Sequence, residues 1–158
     1  MEYYVIIRGA AGIGKTTIAK KVAKKIKAKY FSYDKLMKKA KLDTISGGGI
    51  PSKSFVKANE LIIPLIKQKK RVVLDGCFYR KEQVDHLLTQ LKTKGHIFTL
   101  KASLAECLSR NQTRKKPMTE ENIIQVYDLV SKLKVGISIN TIKKSEEQIV
   151  LEILKNIK

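Results

Sequence analysis

Hydrophobic and polar positions along this chain switch repeatedly between unbroken apolar runs and helical spacing. Tyr3-Tyr4-Val5-Ile6-Ile7 is a short apolar run, the pattern of a strand buried on both faces. Beyond a glycine-rich stretch, Ile18, Ala19, Val22, Ala23 and Ile26 recur at helical spacing with Lys20, Lys21, Lys24 and Lys25 between them. That spacing predicts a helix from about Lys15 to near Lys29. Tyr30-Phe31-Ser32 reads as a second strand, followed by a helix through Leu36 and Met37. Residues 41–51 hold three consecutive glycines and Pro51, which exclude a continuous helix and predict a mobile loop. From Ser52 or Ser54 a helix carries Phe55, Ala58, Ile62, Leu65 and Ile66 on one face, with Pro64 expected to kink it. Arg71-Val72-Val73-Leu74-Asp75 is a third strand, ending in a carboxylate. A helix with Val84, Leu87, Leu88 and Leu91 inward comes next; Gly95 is expected to stop it before a strand opened by His96 and running to Leu100. Ser103 and Glu106 have the spacing of a capping box for a helix with Leu104, Cys107 and Leu108. Thr119 starts a further helix using Ile123, Tyr127 and Val130, and Gly136 to Thr141 makes the last strand. Ser145 and Gln148 form a second capping box, before Ile149, Val150, Ile153, Leu154 and Ile157.

Five buried strands alternating with helices predict a three-layer, doubly wound α/β fold, with a parallel sheet and right-handed crossovers. At 158 residues the chain suits one domain, residues 1–158. The net charge of +19 keeps nucleic acid open as a partner, but 28 of the 33 basic residues are lysines, many on the polar faces of predicted helices. Solvated helix surface is the simpler account of them. No run of eighteen apolar residues occurs, and the amino terminus enters a strand directly, so no membrane partner and a cytoplasmic location are expected. Cys77 and Cys107, with His86 and His96, cannot supply a disulfide framework or a zinc ligand set by spacing. Both cysteines read as small core residues, and His86 as surface.

Candidate chemistry centres on Gly9-Ala10-Ala11-Gly12-Ile13-Gly14-Lys15-Thr16, which fits the phosphate-binding pattern G-x-x-x-x-G-K-[ST], with Thr17 beside it. Its glycines let successive N–H groups turn toward one anion, Lys15 adds a charge near the outer phosphates, and the Thr16 hydroxyl suits Mg²⁺. Strand, loop and helix stand in the order this motif requires. Asp34, just past the second strand, is placed either to cap the next helix or to act in catalysis. Asp75 at the carboxyl end of a buried strand needs a partner for its charge, and hydrated Mg²⁺ beside Thr16 would supply one, as in a Walker B aspartate. Arg110 and Arg114 lie four apart in a basic stretch, a spacing that on one helix face can clamp phosphate oxygens.

Residues 9–16, Asp34, Asp75, Arg110 with Arg114, and Asn140-Thr141 together resemble the small P-loop kinases, the adenylate-kinase, shikimate-kinase and polynucleotide-kinase-like proteins. The likeness covers nearly the whole chain. It implies the strand order 2-3-1-4-5, a basic lid at about residues 110–118, and transfer of the γ-phosphoryl group of ATP with Mg²⁺. The acceptor would be a hydroxyl or phosphate of a small molecule, such as a nucleoside, a nucleotide or a polynucleotide 5′ end. Asp34 would take the acceptor proton and the loop at residues 41–51 would lie over the acceptor. Leu74-Asp75-Gly76-Cys77-Phe78-Tyr79-Arg80 is similar to the D-G-F-P-R segment of adenylate kinases, with Cys77 for its phenylalanine and Tyr79 where the arginine is expected. Asp75 followed five residues on by Arg80 fits better the polynucleotide-kinase-like and zeta-toxin-like branch, which makes Arg80 a candidate acceptor contact. A nucleic-acid-binding or regulatory P-loop NTPase is the alternative from another class.

Overall fold

The computed structural model describes residues 1–45 and 48–157. Among these residues five parallel strands, β1 (Tyr3–Arg8), β2 (Lys29–Ser32), β3 (Arg71–Gly76), β4 (Lys94–Lys101) and β5 (Ile137–Asn140), form one sheet in the order β2-β3-β1-β4-β5. The helices between and after them are α1 (Lys15–Lys25), α2 (Tyr33–Lys39), α3 (Ser52–Lys67), α4 (Lys81–Leu91), α5 (Leu104–Gln112), α6 (Glu120–Lys132) and α7 (Glu146–Lys155). α1 packs beside α7 and α3 beside α4, and right-handed crossovers put these two pairs on opposite faces of the sheet. The strand order is the one that the resemblance to small kinases implies.

Burial sorts the strands by position in the sheet. Val5, Ile6 and Ile7 of β1 and Val72, Val73 and Leu74 of β3 are fully buried, because helices cover both faces of the centre. The expectation of five buried strands fails at the edges: β2 has no buried residue, and in β5 only Ile139 is buried. Register fixes what reaches the carboxyl edge. Ile7 pairs with Asp75 and Ser32 also pairs with Asp75, so the end of β1, the end of β2 and that carboxylate meet at one place.

Several boundaries differ from the sequence reading for local reasons. α1 stops at Lys25, earlier than expected, because Lys27 turns left-handed at φ 53° and the Ala28 amide closes back on the Ala23 carbonyl at 2.8 Å. Lys92, also left-handed, ends α4, whereas Gly95 lies inside β4. A Cβ at Gly95 would stand 2.2 Å from the Tyr4 ring, so this glycine serves close packing. His96 accordingly sits third in its strand instead of opening it. His86 is half-buried, not on the surface, its Nδ1 3.1 Å from the Asn59 amide nitrogen. α3 runs unbroken through Pro64. In the loop predicted for residues 41–51, residues 46 and 47 lie outside the described residues.

Candidate active site

The glycine loop links the end of β1 to α1. Gly12 and Gly14 adopt φ of 81° and 93°, a region that favours glycine, and a Cβ at Gly12 would lie 2.8 Å from the Cys107 carbonyl oxygen of α5. The loop therefore rests directly on the helix that carries Arg110. α1 begins at Lys15 with no side-chain cap on Gly14 and no acidic residue in its first turn, which leaves its positive end open to an anion. Lys15 is buried and its Nζ donates to the Ala10 carbonyl at 2.9 Å. Burial works against its charge, but Cys77, Asp34 and Asp75 around it outweigh that and hold its pKa above the ordinary lysine value.

Asp75 lies behind the loop with 1% exposure, and two hydroxyls divide its carboxylate: Thr16 Oγ1 donates to Oδ2 at 2.6 Å and Tyr30 Oη to Oδ1 at 3.1 Å. Pairing Thr16 with Asp75 assembles a hard-oxygen donor set that fits Mg²⁺, an ion that takes few protein ligands and keeps most of its waters or phosphate oxygens. No cluster of three or more His, Cys, Asp or Glu suited to a metal occurs among the described residues. Burial first, and then the Asp75 charge, push the Tyr30 hydroxyl up to about 12. Tyr30 is a site residue that sequence reading passed over, because its partner is 45 positions away.

One cavity of about 500 Å³ gathers most of the remaining candidates: Ala11, Gly12, Gly14, Lys15, Thr16 and Thr17 line it together with Asp34, Arg110 and Arg114. Asp34 does not cap α2. The Ser32 hydroxyl does, accepting from the Lys35 amide at 3.4 Å, so the Asp34 carboxylate is left facing the cavity. Lys15 and Arg114 favour its charge but do not decide it. Crowding by the cavity walls, with Asp75 adding to it, outweighs Lys15 and Arg114 and raises the carboxyl above the usual aspartate range.

Arg110 and Arg114 do not share a helix face, since α5 ends at Gln112 and Arg114 lies in the turn beyond, yet both reach the cavity. Arg110 is fixed in place: it donates to the Ile13 carbonyl of the glycine loop at 3.0 Å and pairs with Glu106 at 2.6 Å. Glu106 thus serves Arg110, and the expected capping box reduces to the Ser103 hydroxyl accepting from the Glu106 amide. Past Arg114, the buried Asn111 side chain clasps the Met118 backbone, donating to its carbonyl at 2.7 Å and accepting from its amide at 3.0 Å. The basic segment is consequently a loop tied at both ends.

Other candidates lie outside the cavity lining. Gly9 packs on Leu100, and the carbonyls of Ala10 and Ile13 accept from Lys15 and Arg110. Arg80 donates to the carbonyls of Ile50 at 3.0 Å and Gly48 at 2.5 Å and stacks over the Tyr79 ring. Asn140, the last residue of β5, accepts from the Ile142 amide at 2.9 Å, and the Thr141 hydroxyl is tied to the end of β4, donating to the Lys101 carbonyl at 3.0 Å. Cys107 is a core residue as expected, whereas Cys77 is half-buried and lines the cavity, its thiol pushed up to about 11 by burial.

Arg8 was the least expected feature. It precedes the glycine loop, is fully buried, and donates to Phe78 O, Thr99 Oγ1, Leu133 O and Val130 O at 2.9–3.2 Å. Two of those carbonyls belong to the C-terminal end of α6, whose negative dipole offsets the guanidinium charge. Phe78 adopts φ 47°, uncommon for an aromatic residue, and its carbonyl accepts from Arg8 Nε.

A glycine loop between β1 and α1, a carboxylate at the end of the neighbouring β3, and a basic segment joined to the loop through Arg110 define a P-loop nucleotide-binding fold of the kinase type. Residues 5–132 match the family described as an AAA domain, and the chain belongs to that family. It is 29% identical to the protein named "Putative adenylate kinase" in Methanocaldococcus jannaschii, over 98% of this chain and 85% of that one. Among solved structures, a gluconokinase from Sinorhizobium meliloti superimposes with a TM-score of 0.76 at 14% identity, over 96% of this chain and 89% of its own. Shikimate kinase from Bacteroides thetaiotaomicron superimposes with a TM-score of 0.66 at 16% identity, over 97% of both chains. At such identities these likenesses concern the fold. No helix among the described residues is long and apolar enough to cross a membrane.

Proposed function

We propose that this chain is a single-domain phosphotransferase, residues 1–158 with a lid at about 110–118, that moves the γ-phosphoryl group of ATP to a hydroxyl or phosphate of a small acceptor. The observation that carries this reading is one cavity onto which Lys15, Asp34, Arg110 and Arg114 all open. A switch NTPase needs no second carboxylate in the cavity of its phosphate loop; a transferase to a hydroxyl does.

Each residue has a separable task. The N–H groups of residues 9–16 and the end of α1 hold the phosphates, and Lys15 leaves the Ala10 carbonyl for the outer phosphates. Thr16 and Asp75 would hold Mg²⁺, which when bound neutralises phosphate charge. Arg110 and Arg114 stand over the position where charge builds in transfer. With a hydroxyl acceptor, Asp34 accepts its proton, the oxygen forms the new bond to the γ-phosphorus, and the bond to the bridging oxygen breaks to release ADP.

The test is twofold. Calorimetry with millimolar MgATP should give a magnesium-dependent heat that Lys15→Ala greatly weakens, and labelled ATP presented with nucleosides, nucleotides, small alcohols and 5′-hydroxyl oligonucleotides should label an acceptor. A protein that takes up no nucleotide makes residues 9–16 a turn only. One that binds and hydrolyses ATP but labels no acceptor is an NTPase.

A further inference from the structure

Both oxygens of the Asp75 carboxylate are held by hydroxyls, one from the first turn of α1 and one from the edge strand β2. Thr16 Oγ1 donates to Oδ2 at 2.6 Å and Tyr30 Oη to Oδ1 at 3.1 Å, so the carboxylate cannot turn about its Cβ–Cγ bond without breaking one of them. Asp75 is 1% exposed, and bulk solvent does not replace a bond lost there.

Tyr30 reaches this carboxylate by the length of its side chain. In register it pairs with Val73, while Asp75 stands opposite Ser32, whose hydroxyl caps α2. The phenol spans that offset of two residues. Lys20 of α1 lies over the ring, its Nζ 5.7 Å from the centroid, an approach that favours the ring where it stands. β2 has no buried residue, so the core does not depend on this hydroxyl, and its partner is the carboxylate beside the glycine loop.

Divalent cations differ in what they ask of a carboxylate. Ca²⁺ gathers a large, adaptable oxygen shell and takes carboxylates through one oxygen or both, whereas Mg²⁺ keeps a rigid octahedral shell with few protein ligands. A carboxylate pinned at both oxygens suits the second and does not adapt to the first. Resting on the reading of Thr16 and Asp75 as the Mg²⁺ residues of the proposed phosphotransferase, we infer that Tyr30 is a positioning residue: by fixing Asp75 it strengthens magnesium-dependent nucleotide binding and makes the site discriminate against Ca²⁺.

Calorimetry of the full chain with the β,γ-imido analogue of ATP, in EDTA, in saturating Mg²⁺ and in saturating Ca²⁺, gives the factor by which each cation strengthens nucleotide binding, with no turnover involved. In the unaltered protein the Mg²⁺ factor should exceed the Ca²⁺ factor by at least about 10-fold. Tyr30→Phe keeps the ring and removes only the bond to Asp75, so it should lower the Mg²⁺ factor about 10-fold, close most of the gap to Ca²⁺, and leave the affinity in EDTA unchanged. Tyr30→Leu also lacks the hydroxyl and carries the same expectation should the phenylalanine variant not fold. A tyrosine that merely supports the fold would lower affinity alike in all three solutions. That result, equal factors for the two cations in the unaltered protein, or a variant that keeps the full Mg²⁺ preference overturns the assignment of Tyr30 alone. Failure to take up the analogue in any of the three solutions is a different result, and overturns the phosphotransferase reading together with this inference.

Discussion

Asp34 is exposed to the cavity, yet the walls around it disfavour its charge and its carboxyl titrates above the usual aspartate range. Transfer to a hydroxyl should therefore rise with pH along an acid limb set by that group, and Asp34→Asn should remove the limb and lower turnover about 100- to 10,000-fold while MgATP binding persists. Stability should move the other way. A pKa raised by folding means that the folded state favours the protonated form, a contribution complete below the unfolded value and lost as pH rises through the folded one. Asp34→Asn should thus raise the melting temperature at pH 7, with the gain vanishing below about pH 3.8, the ordinary value. A lower melting temperature at pH 7 would return Asp34 to a structural role. Its dual reading from sequence arose because aspartate and serine both cap helices, and only the backbone path revealed that Ser32 holds that position. Tyr30 was illegible for another reason: nothing near it in sequence points to Asp75, and strand register alone brings them together.

At the level of elements, α5, the basic segment and α6 form one unit whose loop is closed by Asn111 and whose start is fixed by Arg110. Asn111→Ala removes two hydrogen bonds from the Met118 backbone at a buried site and should cost about 1–3 kcal/mol in denaturant unfolding. It should also depress turnover more than nucleotide affinity, since the loop then no longer holds Arg114 over the cavity. Equal losses in both would mean that the segment contributes only to binding. Arg114, whose guanidinium makes no hydrogen bond or ion pair among the described residues, should tolerate lysine poorly in turnover but well in stability. Elements with long periodic apolar faces, such as α7, were readable directly, as was the capping box at Ser145, and on α3 the expected face holds for Phe55, Ala58, Ile62 and Ile66 while Leu65 turns to solvent. The ends of α1 and α4 were not, because lysines in left-handed turns stand where glycine was the expected signal.

For the whole molecule, +19 of net charge meets only a handful of ion pairs among the described residues, most of them half-exposed at the surface. Self-repulsion then outweighs pairing, and adding salt from about 20 to 300 mM should raise the melting temperature, because the Debye length shortens below typical lysine separations. A fall would mean that surface pairs dominate. The fold class was legible because buried strands and helical faces alternate over the entire chain, but how distant parts act together was not, and Arg8 is the clearest case. One guanidinium holds the turn after β3, the side of β4 and the C-terminal end of α6, directly behind the glycine loop. Amide protons at the end of α6 and in the glycine loop should therefore exchange with solvent at a common opening free energy, as a single cooperative unit. In Arg8→Met, hydrogen exchange followed by mass spectrometry should split that unit, with the end of α6 opening first while the strands of the sheet keep their protection.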